Sequence, residues 1–122
     1  VTPPRSLVLA VVVAAGTFAL AGCGASHATS HASSSTGIRS GTVDVAIKNF
    51  AFSPANLTVT VGTKVVWTQD DSTVHTVTDA GQFDSGTLAQ GATYSRTFTT
   101  PGTYPYICSI HTYMKATITV VP

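Results

Sequence analysis

The residues best equipped for chemistry lie near the end of the chain, where Cys108, His111 and Met114 form a Cys-x-x-His-x-x-Met run. A thiolate, an imidazole and a thioether are all ligands for a soft metal ion. Six residue steps span at most roughly 20 Å when extended, so a loop that folds back on itself can aim all three side chains at one point. Helical spacing would also gather them in one wedge, but Ile110, Thr112 and Tyr113 favour strand or loop over helix. Taken singly, Met114 reads as core filler and Cys108 as a small buried hydrophobe.

A second imidazole would complete a His2Cys set with a weak axial Met, the arrangement diagnostic of blue copper. His75, in Thr73-Val74-His75-Thr76-Val77, is the one other histidine beyond the N-terminal third, and it precedes Cys108 by 33 residues. A Greek-key sandwich closes such a separation by bringing two strands together at one end. Alone, His75 would read as a satisfied strand histidine. The four ligand types, in order in a chain whose single methionine is Met114, set metal binding apart from coincidence.

The elements that must hold these residues are strands. From Thr42 onward the apolar residues alternate at Val43, Val45 and Ile47, at Leu57, Val59 and Val61, and at Val65 and Trp67. Further alternating runs cover Val74 to Thr78, Tyr94 to Phe98, Tyr104 to Cys108 and Ala116 to Val121. Turn chemistry separates them at Ser53-Pro54, Val61-Gly62-Thr63, Asp70-Asp71-Ser72, Asp84-Ser85-Gly86 and Pro101-Gly102. No stretch of twelve residues carries a helical period with caps. The expectation is an all-β fold, a Greek-key β-sandwich of seven to eight strands. Asp70-Asp71 reads most simply as a solvated loop.

The first forty-odd residues differ in kind. Arg5 precedes an apolar run from Leu7 to Leu20, the pattern of an export signal, and Leu20-Ala21-Gly22-Cys23 resembles the lipobox of bacterial lipoproteins. That resemblance implies cleavage before Cys23 and lipid attachment to its sulfur. An uncleaved anchor is the alternative, but the run is about 14 residues where a span needs about 20. Residues 24 to 41, GASHATSHASSSTGIRSG, are small and polar, with the composition of a flexible linker whose r.m.s. reach is roughly 20 to 25 Å. His27 and His31 lie in it and read as solvated tether residues. The expected organisation is a signal peptide over 1–22, lipidated Cys23 and linker over 23–42, and one folded domain over 43–122. Lipidation would leave Cys108 without a disulfide partner; a Cys23 to Cys108 disulfide is the competing use of two cysteines in an exported chain.

Charged residues make up only 9% of the chain and none is Glu. Beyond residue 23 five basic residues (Arg39, Lys48, Lys64, Arg96, Lys115) balance five aspartates, which excludes a nucleic-acid binder and long-range steering of a highly charged partner.

The whole of residues 43–122 resembles the cupredoxins, in particular the amicyanin and plastocyanin group. The signposts are Phe50-Ala51-Phe52-Ser53-Pro54, Val61 to Trp67, Asp71 to His75, Phe83-Asp84-Ser85-Gly86, Thr97 to Tyr104 and Tyr106-Ile107-Cys108. The two-residue gaps between Cys108, His111 and Met114 resemble the short ligand loop of amicyanin. Many cupredoxins have Asn after the first His ligand, whereas here the position is Thr76.

The resemblance implies one copper ion cycling between Cu(I) and Cu(II), with Cys108 as thiolate ligand, His75 and His111 as imidazoles and Met114 as the long axial contact. Ser109 and Thr76 would tune the site from outside it. His111 would be the port for electrons, ringed by Ile110, Tyr113, Pro54 and Pro105. The expected partner is a membrane oxidase, reductase or dehydrogenase docking near His111, and the expected state is an exported monomer held by lipid to the outer face of a bacterial cell membrane or its periplasmic side. All four ligands are protein side chains, leaving no coordination place for a substrate, and no catalytic set stands outside them, so no enzyme is expected. A copper storage or delivery protein would use the same ligand types, and a metal-free interaction domain would keep the sandwich alone.

Overall fold

A computed structural model describes residues 37–122. The expected signal peptide, Cys23, His27, His31 and most of the linker lie outside the described residues. Ten strand segments and no helix are present among them: β1 (Ile38–Arg39), β2 (Thr42–Lys48), β3 (Ala51–Ser53), β4 (Asn56–Thr60), β5 (Thr63–Gln69), β6 (Thr78–Asp79), β7 (Phe83–Asp84), β8 (Thr93–Phe98), β9 (Gly102–Ile107) and β10 (Lys115–Val121).

They form two sheets, one ordered β1-β4-β10-β9-β6-β7 and the other β3-β2-β5-β8. Both are mixed: β2 runs parallel to β5 and β10 parallel to β4, while β9 and β10 are antiparallel. Chain-adjacent strands repeatedly fall in opposite sheets, as the Greek-key expectation requires. The period-two residues supply the core, with Val43, Val45, Ile47, Val65, Trp67 and Phe98 from one sheet and Leu57, Val59, Tyr106, Ile118 and Val120 from the other all buried. Trp67 is fully buried and its indole N–H donates to the buried Tyr106 hydroxyl at 3.1 Å, which satisfies the one polar atom the ring brings inside. Burial pushes the Tyr106 phenol well above its usual range, so it stays protonated.

Three details depart from the sequence reading. Ten segments replace seven to eight because β1, β6 and β7 have two residues each, too few for a period to show. Ile38 and Arg39, read as linker, pair in parallel with Thr58 and Val59 at the edge of β4, and Thr42 already belongs to β2. The alternation from Val74 to Thr78 is mostly loop: His75 makes a single bridge to Leu88 and only Thr78 joins a strand.

All the candidate ligands gather at one end of the sandwich. β2 and β5 finish there at Lys48 and Gln69, β9 finishes there at Ile107, and β10 leaves from Lys115, which pairs with Ile107 and closes the base of the loop 108–114.

Candidate metal centre

The loop from Gln69 to His75 is fixed from within. Gln69 is completely buried, its amide nitrogen donating to the carbonyls of Asp71 (3.0 Å) and Thr73 (2.6 Å) and its amide oxygen accepting from the Asp71 N–H (2.8 Å). A buried amide this fully paired stabilises one loop conformation, because any other would strand its donors. His75 follows, with no exposed surface, held by two backbone bonds to Leu88.

Asp71 orients the ring. Its Oδ2 lies 3.0 Å from His75 Nε2, and the two carboxylate oxygens also accept the backbone N–H groups of Asn49 (2.7 Å) and Phe50 (2.9 Å). The Phe50 N–H, with further help from Asn49 and the His75 ring, holds the Asp71 carboxyl below the usual carboxylate range despite its partial desolvation. A carboxylate at Nε2 selects the tautomer protonated there and leaves the Nδ1 lone pair for a metal. Asp71 is therefore more than the solvated turn residue the sequence reading made it. Its turn partners lie 22 and 21 residues back in the chain, at a distance no local pattern reveals.

Cys108, His111 and Met114 come from the loop between β9 and β10. Met114 donates its N–H to the His111 carbonyl (2.8 Å), and Cys108 donates its own to the Met114 carbonyl (3.1 Å), so the loop curls back on itself. Cys108 is fully buried and Met114 nearly so, while His111 is half-buried and Ile110 and Tyr113 are exposed. Cys108 Sγ receives the Thr76 N–H at 3.4 Å. Thr76 Oγ1 also accepts the Ser109 N–H at 2.8 Å and meets the Ser109 and Thr78 hydroxyls, with Thr78 in turn 3.2 Å from Asp84 Oδ1. The sequence reading named Thr76 and Ser109 but missed Thr78, Asp84 and Gln69, whose role depends on long-range contact.

Three ligand atoms converge. Cys108 Sγ lies 3.8 Å from His75 Nδ1 and 3.7 Å from His111 Nδ1, and the two nitrogens are 3.2 Å apart. The point equidistant from all three is about 2.1 Å from each, which matches the ~2.0–2.3 Å of metal–imidazole and metal–thiolate bonds. The trio is thus spaced so that it would hold a single first-row ion. One soft sulfur with two imidazoles in a trigonal array suits copper, whereas structural zinc demands a tetrahedral set of four strong ligands. Met114, buried beside the trio in sequence, supplies the remaining soft donor type.

Around His111 the surface is apolar. Phe50 (41% exposed) and Tyr113 (67% exposed) pack their rings against His111, and the adjacent Ile110 is exposed as well. Phe50 was not part of the patch expected from sequence. Of those that were, Pro54 is half-buried and Pro105 sits mid-strand opposite Thr117.

Comparison with known proteins agrees with this geometry. A family model described as a cupredoxin-like domain matches residues 10–120. Amicyanin-alpha of Methylorubrum extorquens is 33% identical over 90 residues, covering 66% of this chain and 72% of its own. Amicyanin of Paracoccus denitrificans is 31% identical, covering 98% and 96%. Among solved structures, a Cu(I) form of an amicyanin variant superposes with a TM-score of 0.63 at 26% identity over 66% of this chain and 82% of that one. The copper-containing nitrite reductase of Thermus scotoductus SA-01 gives 0.63 at 34% identity, but this chain spans only 22% of its length. The site built from His75 and the Cys108 loop is accordingly that of one copper ion, and the chain belongs to the cupredoxin-like family.

Proposed function

We propose that the protein is a mononuclear blue copper protein that carries single electrons between membrane-associated redox partners, in which His75, Cys108, His111 and Met114 would hold the copper. Bound there, copper would supply one-electron chemistry between its Cu(I) and Cu(II) states. The observation that carries this reading is the convergence of Sγ and two Nδ1 atoms at 3.2 to 3.8 Å, from segments 33 residues apart, onto one bonding point.

The residues support fast transfer by moving little. His75 is fixed between Leu88 and Asp71, and Cys108 between Met114 and Thr76, so both are positioned before any metal binds. His111, half-buried among Phe50, Ile110 and Tyr113, is the route to a partner. An apolar rim of this kind suits a brief encounter, and such contacts bury less than about 1,200 Å². A sandwich that keeps its ligand set rigid and fully protein-derived favours a carrier over an enzyme.

Lipid attachment at Cys23, after cleavage of residues 1–22, would hold the protein as a monomer on the outer face of the cell membrane, near a membrane oxidase, reductase or dehydrogenase. The Leu20-Ala21-Gly22-Cys23 pattern supports this, and loss of fatty-acid labelling in Cys23→Ala would be its expected signature.

The deciding experiment is a visible absorption and EPR spectrum of the Cu(II)-loaded protein beside Cys108→Ser. An intense thiolate-dependent blue band with narrow copper hyperfine splitting is expected. A pale spectrum that the substitution leaves unchanged would place copper elsewhere and end the proposal.

A further inference from the structure

The hairpin between β2 and β3 is closed by two residues, Asn49 and Phe50, flanked by the paired Lys48 and Ala51. Both have left-handed backbones, with φ of 53° and 56°. Two-residue hairpins of this hand favour Asn first and Gly second, because a side chain at the second position crowds the backbone. A phenylalanine there is an outlier, and core burial does not repay it, since Phe50 is 41% exposed. Backbone strain kept at such a place points to something the side chain does.

The Phe50 ring meets both imidazoles of the site nearly at right angles. Its centroid is 5.2 Å from that of His75, at 88°, and 5.1 Å from that of His111, at 89°. Its N–H is held by Asp71, whose same Oδ2 atom binds His75 Nε2, so the turn and the first imidazole share one clamp. His75 needs no more support. His111 stands on an exposed loop, and Phe50 reaches it from a different element.

We infer that Phe50 is a positioning residue for the metal centre: the strained Asn49-Phe50 turn exists to press an aromatic ring against His111 and hold that imidazole toward Cys108. This rests on His75 and His111 being ligands, as proposed above.

The test compares Phe50→Gly, Phe50→Leu and Phe50→Tyr in the full chain. Three quantities are read: the thermal midpoint of the metal-free protein, the mobility of the His111 ring in it by NMR, and the rate of copper loss to a chelator. Glycine relieves the backbone, so the metal-free midpoint should hold within about 2 °C or rise. The His111 ring should nevertheless become more mobile, and copper should leave at least roughly fivefold faster, the low end of the loss expected for two aromatic contacts. Leucine should loosen the site without relieving strain, and tyrosine should restore native behaviour. Unchanged ring mobility and copper loss in both Phe50→Gly and Phe50→Leu would overturn the inference. So would a fall in the metal-free midpoint large enough to account for the faster copper loss, since Phe50 would then be a packing residue only. If the native protein forms the blue centre and the variants match it, this inference alone fails. A native protein with no thiolate-dependent centre brings down the proposed function as well.

Discussion

Thr76 Oγ1 lies 2.8 Å from the backbone nitrogen of Ser109, 33 residues later in the chain, and accepts its N–H. Each residue directly follows a proposed ligand, His75 or Cys108, so this one bond ties the two ligand-bearing segments together beside the sulfur. Thr76, at the position where many cupredoxins have Asn, thus pins the Cys108 loop with its hydroxyl, and the Thr78 hydroxyl donates to it in turn at 3.0 Å.

Thr76→Val keeps the shape and removes the acceptor. The Ser109 N–H then has water as its main recourse, at a cost of about 1 kcal/mol, or a midpoint roughly 4–8 °C lower in a domain of this size. Thermal unfolding of the metal-free protein measures it. The hyperfine splitting of the copper-loaded variant should change too, because the Cys108 loop loses a tether.

Met114 should set the potential without setting the colour. Met114→Leu takes away a donor and leaves an apolar wall, which disfavours Cu(II) and raises the potential. Met114→Gln offers a harder oxygen and lowers it. A shift near 59 mV corresponds to a tenfold change for one electron, so voltammetry resolves effects on the order of 1 kcal/mol. Both variants should remain intensely coloured through Cys108.

Asp71 predicts an acid limb in the metal-free domain. Its carboxyl is lowered in the folded state from the ordinary value of 3.8, first by the Phe50 N–H. The unfolded chain therefore binds more protons in the window below about pH 4, and the contribution present above that window is lost as pH falls through the folded value. Asp71→Asn should be less stable than the native domain at pH 7 and should approach it as the pH is lowered toward 3. Denaturant midpoints across pH 3 to 7 provide the comparison.

Much of the site was legible in the chain because donor chemistry is a property of residue type. Cys108, His111 and Met114 announce themselves by spacing, and His75 by elimination. The sandwich was legible because Val43-Val45-Ile47 and similar runs carry the period of a half-buried strand. What escaped were relationships between distant residues with no local signature, such as Asp71 capping the Asn49-Phe50 turn or Gln69 bracing the His75 loop. The same limit explains the misread stretch from Val74 to Thr78: its alternation is real, yet the Thr76 and Val77 N–H groups go to the side chains of Cys108 and Ser85, and His75 meets Leu88 in a single isolated bridge rather than a strand ladder.

Cys108→Ser should separate fold from function. The position is fully buried and the Thr76 N–H can reach an oxygen as it reaches sulfur, so the metal-free midpoint should shift by only a few degrees, an effect on the order of 1 kcal/mol. Circular dichroism should be native while the blue band disappears.

The pairing of Lys115 with Ile107 has a consequence for how such a protein can change over generations. Three of the four proposed ligands sit on a short excursion whose two ends are pinned together by the sheet, so insertions, deletions and substitutions within it alter the metal's surroundings while the strands beneath keep their register. Heritable variation in redox behaviour can therefore accumulate in one small cassette. The lineage is free to explore new potentials and new docking faces without putting the architecture at risk.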